Sequence, residues 1–373
     1  MKNTIFLLLA SALLACSCGH KSNFSIEGHL QANDFDGKTI YMYDVQQQIL
    51  DSATIHNGAF SFRGWVDDPY FVQLVCQASP NGEQYGIRLI VEPGQIYADL
   101  FADSLAGTPL NEEYYQFPND PKITTFRDQM QECLALYKTA QTKADKDRAE
   151  QAYDSIARLW NQALLDKAER TLASHPDDIL GAYAFCLIAG QSDPTTGQPS
   201  IDVDQLKKRM ASLHPIVANF YPTQQILKQL ESVDRTAVGQ HFVDFEGIDI
   251  ATNQKSSLAQ MINGKIAIVD FWASWCGPCR QEIKDHLIDL YDKYASKGVV
   301  VLGVDISDRP EKHLEAVAEL GIKYPQLRCD DSRPAEIYGI IGIPHIMLIS
   351  PDGTIVARDL RGPAIEDALK KLL

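Results

Sequence analysis

The chain has 373 residues, more than one domain usually holds, so we expect two or three domains. Hydrophobic residues make up 45% and charged residues 22%, as in ordinary globular proteins. The formal net charge of −15 disfavours nucleic acids and anionic membrane surfaces as partners.

The N-terminus has the pattern of an export signal. The apolar run 5–14 is too short for a stop-transfer helix. It ends in Leu13-Leu14-Ala15-Cys16, which resembles a bacterial lipobox. That resemblance implies cleavage before Cys16 and a lipid on its thiol, with 1–15 as signal peptide and 16–23 as tether. We expect a periplasmic protein that its lipid anchors to a membrane. The alternative is an ordinary secretory signal with an incidental cysteine.

Residues 24–105 predict a small β-sandwich, because short runs of β-forming residues recur between turn signals. Asn57-Gly58, between two such runs, is a strong hairpin signal. The segment resembles an N-terminal domain that often precedes thioredoxin-like domains in bacterial lipoproteins. The stretches that carry this resemblance are Asp51-Ser52-Ala53, Gly58-Ala59-Phe60-Ser61-Phe62 and Val91-Glu92-Pro93-Gly94. It implies no function for the segment.

Residues 106–235 predict helices. Apolar residues recur there at steps of three and four, as on one face of a helix. The two clearest sets are Ile123, Phe126, Met130, Cys133 or Leu134, and Tyr137, and then Tyr153, Ile156, Trp160, Ala163 or Leu164, and Ala168.

Residues 236–373 alternate between strands and helices. Continuous apolar runs at 266–271 and 299–304 predict strands that are buried on both faces. A helix is expected from about Cys276 to Tyr294, and a later hairpin and helix end the chain. This order predicts an α/β, thioredoxin-like fold, with a central mixed sheet flanked by helices.

The sequence Cys276-Gly277-Pro278-Cys279 at the predicted helix start is suited to redox chemistry. Two cysteines at this spacing can close a small disulfide ring, and the helix end stabilises a thiolate. Cys276 would attack a disulfide of a partner protein, and Cys279 would resolve the mixed disulfide. No histidine stands between the cysteines to stabilise the thiolate strongly, which favours a reductant over an oxidant.

Two further residues complete the predicted site. Asp270, six residues before Cys276, would accept the proton of Cys279; a solvent-facing aspartate at a strand end is the alternative. Pro344 precedes a predicted strand. A cis bond would turn the Ile343 backbone towards an extended client, but spacing alone leaves cis and trans open.

The stretch 269–282, VDFWASWCGPCRQE, resembles the thioredoxin superfamily, and most closely its membrane-anchored, extracytoplasmic TlpA/ResA-like branch. Further matching stretches are Val238-Gly239, Gly264-Lys265, Tyr338-Gly339-Ile340, Gly342-Ile343-Pro344 and Ser350-Pro351-Asp352-Gly353. The resemblance covers 236–373. It implies Cys276 as nucleophile, Cys279 as resolving thiol, Asp270 as proton acceptor and Pro344 as a cis proline.

The same resemblance implies neighbours for this site. Trp272 and Trp275 would pack around the motif, with Trp275 contacting the client as Ile343 and Pro344 do. Gly362 would lie in the adjoining loop and also belong to the client-binding surface.

Three positions leave alternatives open. Glu282 matches an acidic position of the branch and is a candidate proton relay, or else a helix-surface carboxylate. Lys284 stands where many relatives have a helix-kinking proline, which leaves the kink in doubt. Cys329 is either a third redox thiol or an ordinary loop cysteine.

The predicted function is reduction of disulfides in exported proteins, without cofactor or metal. The resemblance implies oxidised exported clients, including apocytochromes for some relatives, and a membrane thiol-reductant transporter as electron donor. The alternatives are a disulfide oxidase or isomerase of the same fold, a peroxiredoxin, a zinc module, and a binding lipoprotein with an accessory thioredoxin domain. Structural zinc needs four ligands, and no second cysteine pair follows.

Overall fold

The structure, a computed structural model, describes residues 22–30, 35–77, 82, 84–192, 199–329 and 331–373. The predicted signal peptide and Cys16 lie outside these residues. No helix in the described ranges is long and apolar enough to cross a membrane.

The chain divides into two compact units. The first unit extends to Ile188 and includes His214–Tyr221. The second unit contains Ala189–Ser192, residues 199–213 and Pro222–Leu373. The predicted helical segment is thus shared between the units. The borders predicted at residues 105 and 235 remain predictions.

The first unit contains the expected β-sandwich. Its strands are β1 (Phe24–His29), β2 (Thr39–Tyr43), β3 (Ile49–Thr54), β4 (Ala59–Gly64), β5 (Tyr70–Cys76), β6 (Gly86–Val91), β7 (Gly94–Asp99) and β8 (Ser104–Ala106). They form two four-stranded sheets, ordered β4-β1-β7-β8 and β3-β2-β5-β6. Side chains from both sheets, such as Ile26, Ile40 and Leu74, share one buried core, so the sheets pack face to face.

The Asn57-Gly58 turn forms, but it does not close a regular hairpin. Both residues have positive φ, 51° and 73°, as a tight two-residue turn requires. The strands β3 and β4 on either side belong to different sheets and are joined there by the single bridge between His56 and Ala59. The expected hairpin is therefore wrong, because β3 and β4 diverge to place Ile55 and Phe60 in the core between the sheets.

The helices that follow are α1 (Pro109–Gln116), α2 (Pro121–Thr139), α3 (Lys143–Ser174), α4 (Ile179–Ala189), α5 (Val203–Met210), α6 (Pro215–Ala218) and α7 (Tyr221–Arg235). Polar side chains cap several of them. Thr142 accepts the Asp145 N–H at the start of α3, and Asp202 accepts that of Gln205 at the start of α5.

The second unit is built on a seven-stranded mixed sheet. Its strands are β9 (Glu246–Asp249), β10 (Gln254–Ser257), β11 (Ala267–Trp272), β12 (Val300–Asp305), β13 (Gln326–Arg328), β14 (His345–Ile349) and β15 (Ile355–Leu360). Their order is β10-β9-β13-β12-β11-β14-β15, with β11, β12 and β13 parallel to one another. The central strand β11 is buried along its whole length, as predicted.

Helices cover this sheet: α8 (Leu258–Ile262), α9 (Gly277–Glu282), α10 (Ile288–Tyr294), α11 (Pro310–Leu320), α12 (Arg333–Tyr338) and α13 (Pro363–Lys370). A π-helical turn, Ile283–Leu287, joins α9 to α10. The predicted helix from Cys276 to Tyr294 therefore runs without a break, but it is not α-helical throughout. Lys284 lies inside that turn. The helix therefore departs from regular α geometry there without a proline.

Candidate active site

The strand β11 aims alternate side chains at two buried clusters. Ile268 and Trp272 belong to the cluster that contains Cys276 and Cys279, whereas Val269 and Phe271 belong to the opposite one. Because side chains alternate along a strand, Asp270 faces the cysteine side. It does so buried between two apolar neighbours.

The two cysteines form a disulfide at the start of α9. Their Cα atoms are 5.3 Å apart and their sulfurs are bonded. Cys276 is the N-cap residue, and the Cys279 N–H lies 3.2 Å from its sulfur as donor. That N–H and the helix end stabilise a thiolate on Cys276 once the disulfide opens. Cys276 is 5% exposed and Cys279 fully buried, so Cys276 is the more accessible sulfur, as the sequence predicted.

The Ile343–Pro344 bond is cis, as the resemblance implied. The Ile343 carbonyl oxygen lies 3.6 Å from the Cys276 sulfur. An extended peptide could therefore pair with the Ile343 backbone while its sulfur meets Cys276.

Asp270 is 1% exposed, and neither carboxylate oxygen has a hydrogen-bond partner among the described residues. The pKa of Asp270 is raised to about 8: burial raises it most, the negative charge of Glu282 also raises it, and the positive charge of Arg361 lowers it. The alternative of a solvent-facing aspartate is wrong. A carboxylate with this pKa can hold a proton near neutral pH.

Glu282 and Gly362 are in direct contact. The Gly362 N–H donates to Glu282 Oε1 at 2.6 Å, and the Gly362 backbone has a φ of 56°, which favours glycine. Glu282 is half-buried and acts electrostatically on Asp270, so it is more than a surface carboxylate. Its role as proton relay remains a prediction.

The two tryptophans have different environments. Trp272 is fully buried, and its indole N–H donates to Gln326 Oε1 at 3.0 Å. Trp275 is 65% exposed, with its indole N–H 3.4 Å from the Ser307 carbonyl oxygen. The expected packing around the motif is confirmed for Trp272, which shares a buried cluster with Cys276 and Cys279. Trp275 is largely exposed next to Cys276 in the chain, and its contact with a client stays a prediction.

Sequence reasoning missed the side chains that hold the motif loop. Asp308 accepts the Ser274 backbone N–H at 2.5 Å and the Ser274 hydroxyl at 2.8 Å. Asp305, Asp308 and His313 each place one side-chain atom that could ligate a metal ion within 4.8 Å of the other two. Both oxygens of Asp308 bind Ser274, so we assign Asp308 to support of the loop. No spacing pattern in the sequence signals it.

Arg361 was also missed. Its guanidinium donates to the Pro344 carbonyl and lies 3.0 Å from Asp359 Oδ1. Its position immediately before the predicted site residue Gly362 was the available signal.

Cys329 is buried in the cluster on the opposite face of the sheet from the dithiol. Its sulfur lies 3.8 Å from the Glu246 carbonyl oxygen. The structure does not bring Cys329 to the dithiol.

Known proteins resemble both parts of the chain. Residues 238–358 match the AhpC/TSA family, and residues 24–114 match a domain of unknown function, DUF4369. The AhpC/TSA match thus lies within the second unit. The dithiol, Asp270 and Pro344 fall inside the matched AhpC/TSA range, and Arg361 and Gly362 lie just after it.

Relatives of this AhpC/TSA domain carry redox names. The thiol:disulfide interchange protein HelX of Rhodobacter capsulatus is 35% identical over 114 residues, 30% of this chain and 61% of HelX. The thiol-disulfide oxidoreductase ResA of Bacillus subtilis is 26% identical over 105 residues, 28% of this chain and 58% of ResA. The chain thus spans about three fifths of these relatives. The solved thioredoxin domain of a Bacteroides vulgatus thiol-disulfide oxidoreductase is 33% identical, with a TM-score of 0.34 over 36% of this chain and 96% of that one.

Proposed function

We propose that this protein is a thiol–disulfide oxidoreductase that reduces disulfides of client proteins. The observation that carries the proposal is the Cys276–Cys279 disulfide at the start of α9, with a buried Asp270 facing the same cluster. The names of the AhpC/TSA relatives support the same chemistry.

In the first step the reduced Cys276 thiolate attacks one sulfur of a client disulfide. A bond forms between Cys276 Sγ and that sulfur, the client S–S bond breaks, and the other client sulfur leaves as a thiolate. The Cys279 N–H at 3.2 Å and the helix end stabilise the attacking thiolate.

In the second step Cys279 resolves the mixed disulfide. The Cys279 thiol gives its proton to the Asp270 carboxylate and attacks Cys276 Sγ. The second client sulfur leaves, and the Cys276–Cys279 disulfide forms. The client gains two electrons and the enzyme loses two, so a thiol reductant must restore the dithiol.

Exported proteins with unwanted disulfides are the proposed clients, apocytochromes among them, and a membrane thiol-reductant transporter is the proposed electron donor. The client would add an extended segment beside Ile343, whose carbonyl oxygen is 3.6 Å from the reactive sulfur. The names of the relatives above support disulfide exchange as the reaction with these clients.

The proposed location is the periplasm, with a lipid on Cys16 as the membrane anchor. The lipobox-like Leu13-Leu14-Ala15-Cys16 and the polar residues after it support this assignment.

Insulin disulfide reduction by the purified protein, with dithiothreitol as donor, tests the proposed activity. Wild type should accelerate precipitation of the insulin chains, and Cys276→Ser should not. A potential near the roughly −270 mV of thioredoxin is expected; one near −120 mV would instead support an oxidase. No acceleration by the folded wild type would contradict the proposal.

A further inference from the structure

Arg361 lies at the corner where β15 ends and α13 begins. Its Nη2 donates to the carbonyl of the cis Pro344 and lies 3.0 Å from Asp359 Oδ1, while its Nη1 donates to the Leu360 carbonyl at 2.8 Å. These contacts tie the guanidinium to the loop that contacts Cys276.

The strand register brings this corner level with Asp270. Asp270 is opposite Ile346 on β14, and Ile346 is opposite Leu360 on β15, the residue before Arg361. On its other side Asp270 is opposite Gly303 of β12, which has no side chain. Neither residue directly opposite Asp270 therefore carries a charge.

Among the residues that the structure describes, three groups interact electrostatically with Asp270. They are the Glu282 carboxylate on α9, the Arg361 guanidinium at the corner and the buried Tyr324 phenol, whose pKa the charge of Asp270 raises. Arg361 lowers the Asp270 pKa, against burial and Glu282. The Gly362 N–H binds the Glu282 carboxylate. The adjacent residues Arg361 and Gly362 therefore supply the positive charge and hold the negative charge that act on Asp270.

We propose that Arg361 is a positioning residue of the dithiol reaction: it fixes the Pro344 carbonyl in the loop beside Cys276 and presents a cation towards Asp270. This inference rests on the proposed function and adds a residue to it.

The cation matters in the resolving step. Asp270 can take the proton of Cys279 only while it is ionised, and burial together with Glu282 disfavours ionisation. Arg361 keeps part of the Asp270 population ionised at neutral pH. Its removal should therefore slow the attack of Cys279 on the mixed disulfide.

The test is the titration of Asp270 in the full-length oxidised protein, followed by ¹³C NMR of labelled aspartate carboxyls. Asp270→Asn identifies the resonance. In Arg361→Gln the Asp270 midpoint should rise by about one pH unit, and in Glu282→Gln it should fall. Arg361→Lys, which keeps the charge, should leave the midpoint close to that of wild type.

A matched control is Arg235→Gln, since the exposed Arg235 also donates to a backbone carbonyl, that of Ile337 at 3.5 Å. It should leave the Asp270 midpoint unchanged. Single-turnover resolution at pH 7 should slow about tenfold in Arg361→Gln, in proportion to the ionised fraction of Asp270.

An unchanged Asp270 midpoint in folded Arg361→Gln would overturn this inference, even if the variant lost activity. Because the titration uses the oxidised protein, its result does not depend on turnover. A wild type without reductase activity would overturn the proposed function and leave the titration result standing.

Discussion

Cys276 and Cys279 lie one helical turn apart in different surroundings. Cys276 is 5% exposed and accepts a backbone N–H, whereas Cys279 is fully buried. Access to a client disulfide therefore favours Cys276, and attack within the protein favours Cys279.

We expect the two serine variants to trap clients unequally. Cys279→Ser should accumulate stable mixed disulfides on Cys276, because no resolving thiol remains, while Cys276→Ser should trap few. Non-reducing electrophoresis of purified variants incubated with an oxidised client measures the difference. Equal trapping by both variants would contradict the assigned roles.

Asp270 also predicts a pH dependence of stability. Its pKa rises from 3.8 to about 8 on folding, so between these values the folded protein holds a proton that the unfolded chain releases. Stability must then fall as pH rises across this window.

Asp270→Asn should remove this contribution, since an amide does not titrate. The variant should gain stability relative to wild type by about 1.4 kcal/mol per pH unit between about pH 5 and pH 8. Urea unfolding at several pH values measures the gain, with the exposed Asp367→Asn as control. A constant difference between Asp270→Asn and wild type across that range would rule out a raised pKa.

At the scale of elements, the helix after the motif contains a π-turn. Ile288 donates its N–H to the Ile283 carbonyl across this turn, and Ile283 and Leu287 are both fully buried. Lys284 lies in this turn and is exposed, so its side chain does not disturb the buried face. The interruption begins directly after Glu282, the residue that binds Gly362.

The loop before β14, whose Ile343 contacts Cys276, and the motif loop each expose a large apolar side chain. Ile341 is 82% exposed and Trp275 65% exposed, although most large apolar residues of this unit are buried. Burial of these two side chains against a client would remove apolar surface from water and so stabilise the complex.

Ile341→Ala and Trp275→Ala should each lower kcat/KM for a protein disulfide about tenfold, as loss of one buried apolar contact does. Reduction of a small aromatic disulfide should hardly change. Leu314→Ala, which truncates a 45% exposed leucine on α11, is the control. Equal losses on both substrates would show an effect on the dithiol rather than on client binding.

At the scale of the whole molecule, the net negative charge and the predicted lipid anchor have opposite effects on membrane attachment. A net charge of −15 is repelled by anionic lipid surfaces, so membrane attachment would depend on the lipid at Cys16.

Cys16→Ser should move the chain into the soluble periplasmic fraction, or leave the signal uncleaved, without loss of disulfide reduction in vitro. Cys18→Ser, two residues later, should stay with the membranes. Membrane fractionation and immunoblotting measure both. A cleaved Cys16→Ser protein that stays with the membranes would place the anchor elsewhere.

The sequence by itself determined the elements whose cause is local. The apolar run 266–271 predicted the buried strand β11, and the cysteine spacing predicted the dithiol at a helix start. Periodicity, proline positions and turn residues act over a few residues, so they can be recognised without the fold.

The tertiary structure alone decided which distant residues meet. The Asn57-Gly58 turn is local, but the separation of β3 and β4 into two sheets depends on the shared core. The pKa of Asp270 depends on Arg361, which the register of three strands brings level with it. Pairing between strands that are far apart in the chain leaves no short-range signal, because it is fixed by burial of the whole sheet.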